Sequence, residues 1–192
     1  MKTKQIEDLK SKLLINCISK DETRRQLTGF CHVENIKTLC STDGHRACLL
    51  KSRYNEELKN TIVCNKTFTV IEGEYPKISQ VIPDIKNSQL YNLEIKKHHS
   101  AKNTNVYMYK NENNIYRDVK NAYLSFEVIA DNEENYLCTF NSEFLKDLAK
   151  DITIKIAFFK DLSPVLFNLN SLHNIDDETF NDSYLLMPIK RK

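Results

Sequence analysis

Apolar residues at Ile6, Leu9, Leu13, Leu14, Cys17 and Ile18 fall on one helical face, so the first twenty residues are predicted to form a helix with a buried stripe. From Gly29 to Cys40 apolar positions lie on both sides of Glu34-Asn35, the pattern of a hairpin about a turn. Asn105 to Arg117 repeats that shape around Asn111 to Asn114, a faint internal echo. Ile152, Ile154, Ile156 and Phe158 alternate cleanly as a strand. Strands also fit Val63 to Glu72, Tyr123 to Ala130, Val165 to Leu169 and Tyr184 to Ile189. Asn141 is placed to cap a short helix whose Phe144, Leu145, Leu148 and Ala149 face inward, with Lys146 and Lys150 outside. Asn87 to Asn105 reads both ways: Tyr91, Leu93 and Ile95 alternate like a strand, and a short helix has room soon afterwards. Pro83 to Asn87 ends one patterned region before the next begins, which divides the chain at residues 1–84 and 85–192.

Composition narrows the class without naming a function. At 192 residues there is room for one or two small domains, and 41% hydrophobic with 28% charged residues marks a globular chain rather than a disordered one. The net charge of +2 is unevenly spread, since residues 1–20 hold five Lys against Glu7 and Asp8, a balance of +3 that leaves −1 for the rest. A basic first helix suits either an ordinary solvated face or a polyanion partner. Lys4, Asp8 and Lys12, spaced at i, i+4, form one row that is either self-neutralising or turned toward that partner.

Several chemistries find no support in the spacing. The six Cys include no Cys-x-x-Cys pair and no His at zinc-finger spacing, and Cys31, Cys40 and Cys48 sit among apolar strand residues as small hydrophobes. Asp176, Asp177, Glu178 and Asp182 fall in an irregular stretch without the spacing of a calcium loop, and read as a solvated loop. No segment approaches the roughly 20 apolar residues of a membrane span, so a cytoplasmic protein is expected. His45 beside Asp43 and Arg46 has no nucleophile of assignable geometry, and the bland reading is a tight Asp43-Gly44 turn braced by Arg46. No enzyme activity, cofactor or metal is expected.

Two stretches carry a more specific signal: Thr42-Asp43-Gly44-His45-Arg46 after an alternating run, and Tyr184-Leu185-Leu186-Met187-Pro188-Ile189-Lys190 near the end. Together they resemble two signatures of the bacterial sliding clamp, the beta subunit of the replicative DNA polymerase. The likeness continues in order through TRRQLTGFCHVENIKTLCSTDGHRACLLKS (23–52), EGEYPKISQVIP (72–83), CTFNSEFLKDLAK (138–150) and Ser163 to Leu166. It maps to the family's middle and last domains and leaves no counterpart for its first. Between Arg53 and Glu72 there is space for little more than a strand and a turn, so the first domain is expected to be reduced.

The resemblance implies an α+β fold of two tandem clamp domains, with antiparallel sheets carrying helices on one face. It also implies a DNA replication protein that tethers a polymerase or other DNA-processing factor to duplex DNA. The alternative is a mimic that binds clamp-interacting peptides without encircling DNA. In the family a pocket takes short hydrophobic peptides from polymerases and clamp-loader subunits. Carried over by motif, it comprises Leu27, Thr42, Gly44, His45, Arg46, Pro76, Val81, Leu185, Met187, Pro188 and Ile189. Duplex DNA would be met without sequence specificity by Lys4, Lys12, Arg24, Lys146 and Lys150. Self-association is expected to be weak, with a trimeric ring as the alternative. Ala47 stands where the family usually has a leucine and Gln80 where an arginine is common, which bears on the identity of the peptide.

Overall fold

The computed structural model describes residues 1–95, 105–111, 114–118, 136–148, 152–159 and 163–188. Its first element is helix α1, Thr3–Asn16. Ile6, Leu9, Leu13 and Leu14 are buried on one side of it, as their spacing predicts. Each such side chain contributes on the order of 2 kcal/mol when fully buried. The helix stops at Cys17, whose amide still reaches back to Leu13, so the predicted twenty-residue helix is shorter than its apolar pattern.

Strands β1 (Gly29–Val33), β2 (Thr38–Thr42) and β3 (Arg46–Leu50) form an antiparallel meander. The turn between β1 and β2 is a short 3-10 segment, Glu34–Ile36, closed by Lys37 in the left-handed region. The expected single strand over Val63 to Glu72 is instead a small hairpin of β4 (Ile62–Cys64) and β5 (Val70–Ile71). β4 lies against β1, with Gly29 opposite Cys64. A Cβ at Gly29 would come within 2.2 Å of the Val63 carbonyl oxygen, which is why this position has no side chain.

The second half supplies β6 (Gln89–Ile95), β7 (Asn105–Asn111), β8 (Asn114–Asp118) and β9 (Tyr136–Asn141). After them come α2 (Ser142–Leu145), β10 (Ile152–Phe158), β11 (Val165–Asn168) and β12 (Asp182–Leu186). The twelve strands among the described residues join one sheet in the order β5-β4-β1-β2-β3-β12-β11-β10-β6-β8-β7-β9. The two halves of the chain therefore meet where β3 pairs with β12, Ala47 opposite Leu185. Among the described strands the pairing is antiparallel, as expected, except where β6 runs parallel to β8. α2 is also shorter than expected, and it begins directly after Asn141, the last residue of β9. The predicted strand at Tyr123 to Ala130 and the ambiguous His98 to Lys102 lie outside the described residues.

Through its central strands the sheet is covered on both faces. On one, α1 and α2 close over Leu39, Cys48, Leu50, Ile154, Ile156, Phe167, Tyr184 and Leu186. On the other, the connection between the halves packs Tyr75, Ile78, Ile82 and Ile85 over Cys40, Ala47, Leu49, Leu166 and Leu185. Five of the six cysteines are free thiols, four of them buried, and Cys138 lies outside the residues whose side chains are described. Among the described residues no helix is long and apolar enough to cross a membrane.

Candidate functional site

β12 ends beside the turn from β2 to β3, and the period of two along each strand sends Leu185 and Ala47 to the connection face. There the connection passes over them but does not seal them. The 3-10 turn Ile78–Gln80 presses Ile78 onto the sheet, while Val81 stays 37% exposed. The result is a cavity of about 180 Å³ lined by Leu27, Thr42, Gly44, Arg46, Ala47, Pro76, Ile78, Val81, Leu185 and Met187, with Arg24 and Lys77 beside them. Pockets for whole small ligands commonly run to roughly 300–1,000 Å³, so this one suits one or two apolar side chains.

The polar wall is built by local chemistry. Gly44 turns the chain at φ +93°, a backbone conformation that side chains disfavour. Asp43 takes the amides of His45 and Arg46 on one carboxylate oxygen, at 2.9 and 3.1 Å. Its other oxygen accepts from Arg46 Nε at 2.9 Å. Thr42 Oγ1 donates to the Arg46 carbonyl at 2.7 Å and accepts from the Gly44 amide. The Arg46 guanidinium also pairs with Asp147, just beyond α2, and lies 4.7 Å from the centre of the Phe144 ring. Burial opposes the charge on Arg46, but Tyr184, Asp147 and Asp43 outweigh it and hold the guanidinium above its ordinary range. Asp147 in turn accepts from Asn16 at the end of α1, so this wall is anchored into the helical layer.

Of the residues assigned to the pocket from sequence, Leu27, Thr42, Gly44, Arg46, Pro76, Val81, Leu185 and Met187 line this one cavity. His45 does not: its ring stacks on Phe144 at 6.2 Å, and its carbonyl accepts from the Met187 amide. Pro188 lies next to the lining without joining it, and Ile189 is outside the described residues. Ile78 and Lys77 were not singled out from sequence. Ile78 has a signal in its spacing from Tyr75 and Ile82, which pack on the same face, whereas nothing in the pattern marks Lys77.

The cations expected to face DNA divide between the two sides. Lys4 and Lys12 are exposed on α1 with Asp8 between them. Lys146 is exposed after α2 and pairs with Glu143 at 2.6 Å. Arg24 is on the pocket rim instead, where its guanidinium meets the Asp43 carbonyl at 3.3 Å, and Lys150 is outside the described residues. Another cation, Lys10, is 4% exposed and bridges Asp182 and Glu7, each at 2.8 Å. Asp182 itself is 1% exposed, with Ser52 donating to it through amide and hydroxyl. The solvated loop expected from its sequence neighbours therefore stops short of it. Asp182 opens β12 because a buried lysine needs a counter-charge.

No protein-family model matches the sequence, and no curated protein matches it. Solved structures do. The Caulobacter crescentus pol III beta superposes with a TM-score of 0.65 at 21% identity, over 97% of this chain and 65% of that one. The chain has the fold of the bacterial sliding clamps. The DNA polymerase sliding clamp of Bacillus subtilis gives a TM-score of 0.52 at 14% identity over 97% and 63% of the two chains. The Helicobacter pylori beta clamp, solved in complex with 5-chloroisatin, gives 0.54 at 16% over 95% and 63%. The chain thus spans less than two thirds of the length of these clamps.

Proposed function

We propose that this clamp-fold chain is a non-catalytic replication protein that holds a partner by a short peptide in the cavity between Met187 and Val81. The partner would be a polymerase, a clamp-loader subunit or another DNA-processing factor. One observation carries the reading. Segments distant in sequence, at Leu27, Thr42 to Ala47, Pro76 to Val81 and Leu185 to Met187, converge on one apolar hollow that core packing would have filled. An adaptable Met beside fixed aliphatic walls suits insertion of a hydrophobic pair. Fluorescence anisotropy with a labelled peptide carrying a glutamine and such a pair is expected to give micromolar affinity, about −8 kcal/mol. Equal binding by wild type and a Leu185→Ala, Met187→Ala double variant would refute the assignment.

The division at residues 84 and 85 is retained within this proposal as the boundary of two clamp modules. The tethering role would add contact with duplex DNA through Lys4, Lys12, Lys146 and Lys150, independent of sequence because phosphates carry no base information. A specific observation favours the second reading, a mimic that takes up such peptides without encircling DNA. Part of the basic charge on the helical face is already committed, since Lys10 is buried in ion pairs, Lys146 is paired and Asp8 interrupts the lysine row. Self-association is proposed to be weak. A head-to-tail trimer closes only for a rotation of about 120° between copies. Light scattering separates the two outcomes: a concentration-independent mass of three chains favours the ring, and a monomer that persists on DNA favours the mimic.

A further inference from the structure

Residues 51–60 join β3 to β4, and among the described residues none of them belongs to either core cluster. Polar contacts hold the segment down instead. Lys37 with Glu56 and Lys59 with Glu34, at 2.6 and 3.3 Å, are exposed pairs of the kind that contribute little in water. The buried anchor is His32 of β1, 5% exposed, which takes the segment at both ends. Its carbonyl accepts from the Asn60 amide at 2.6 Å, and its Nδ1 accepts from the Asn55 amide at 3.0 Å. Asn55 in turn caps the 3-10 turn Glu56–Leu58 by accepting from the Glu57 amide. The Tyr54 ring stands 6.0 Å from the imidazole, tilted against it. An amide N–H can only donate, so Nδ1 carries no proton in this arrangement.

We propose that His32 is a pH-sensitive latch on residues 54–58. Protonation turns Nδ1 into a donor facing the Asn55 donor, so the segment opens at that end while the bond from Asn60 to the His32 carbonyl holds the other. Burial already pulls the imidazole below its ordinary value of 6.5. The contribution of the Asn55 bond is therefore present above 6.5 and lost as pH falls through the folded value. β2 and β4 set Leu39 and Thr61 beside His32, and neither titrates. The groups around it that do are Tyr54, Glu56, Glu57 and Lys59 of the segment, and Glu34 and Lys37 of the turn after β1. Lys51 and Arg53 begin the segment, and Arg53 is turned to Glu7 of α1. Carboxylates, phenols and basic side chains ordinarily change charge outside the span from about pH 5 to about pH 8, where histidine changes its own.

The test is amide hydrogen exchange of the intact chain, read by NMR as protection factors over about pH 8 to about pH 5, with the His32 ring resonances followed alongside. Protection of the Asn55 amide is expected to fall about tenfold as the ring gains its proton, the scale of a buried donor left unpaired, while Asn60 and β10 keep theirs. His32→Asn places a carbonyl oxygen as far along the side chain as Nδ1, and that oxygen accepts at every pH, so Asn55 protection should stay level. His32→Leu should leave Asn55 unprotected throughout, and if that variant does not fold, the wild type and His32→Asn decide between them. Four results overturn the latch: a ring that stays neutral across the span, an Asn55 amide unmoved when the ring is protonated, a loss shared equally by β10, or the wild-type pH dependence persisting in His32→Asn.

Discussion

The two faces of the sheet are fed by the same strands and finished differently. In β12, Tyr184 and Leu186 turn to the helical face while Leu185 turns to the connection, and all three are buried. In β3, Cys48 and Leu50 divide from Ala47 and Leu49 in the same way. The helical face is closed by a wide aliphatic layer and pinned by Lys10, Asp182, Glu7 and Arg53. The connection face is covered by an irregular segment with little regular hydrogen bonding, and it leaves Val81 and Met187 partly open. A helix offers a continuous stripe, whereas a connection touches the sheet only at spaced residues. The hollow lies in the resulting gap, so stability concentrates on one face and the proposed binding site lies on the other.

The sharpest way to break this contrast is to attack each face separately. Asp182→Ala strips Lys10 of its most buried partner and leaves a poorly compensated charge inside, which typically destabilises by about 3–5 kcal/mol. Urea unfolding is expected to show that loss, while peptide affinity of the fraction still folded stays at the wild-type value. Met187→Ala should do the reverse, weakening peptide binding by at least about 1 kcal/mol with a smaller effect on unfolding. If Asp182→Ala reduces affinity as much as stability, the faces are not independent.

How much of this was legible in the sequence follows the same division. Helical and strand periodicity identified α1, β10 and the first hairpin, because each puts a long apolar stripe against one layer. The Thr42 to Arg46 turn was legible as chemistry, since a short acid and a glycine at fixed offsets leave little else to form. The pocket lining was reached only through the family resemblance, because no periodicity links Leu27 to Met187 across the intervening chain. Lys10 and Asp182 were missed for a different reason. Lys10 falls among the apolar positions of α1 but is polar, and its partner is 172 positions away in an acidic run that looks solvated. His45 and Arg24 show the limit of motif transfer: position in the chain was right, but ring stacking and the Asp43 carbonyl decided where each side chain went.

Changing pH gives a milder perturbation of the helical face. Hydrogen bonds from Lys10 and then Arg53 hold the Glu7 carboxyl below its ordinary value of 4.5. A depressed carboxylate contributes stability that is present above 4.5 and lost as pH falls through the folded value. Burial works against the charge on Lys10, but bonds to Asp182 and Glu7 raise it above 10.5, so its contribution is present below that pH and lost on the alkaline side. The expected outcome is a plateau across neutral pH with a decline at each end. In Glu7→Gln the acid decline should flatten, and a wild-type acid limb unchanged by that substitution would remove Glu7 from the account.

The smallest expected effect concerns the outer surface of the helical layer, where the tethering and mimic readings part. Lys4, Lys12 and Lys146 are exposed, so replacing them with Glu should leave the fold intact. Each lysine that touches phosphate releases about one counterion, and its loss should lower the salt slope of duplex binding by about 0.9. Asp8 and the Glu143 pair already temper this surface, so retention on circular duplex should fall only modestly at moderate salt and more clearly at low salt. Including Lys150→Glu tests the expected position that lies outside the described residues. If the quadruple variant and wild type are retained equally at low salt, α1 and α2 do not face DNA. A chain that still binds peptide would then be acting through its connection face alone, which is what the mimic reading requires.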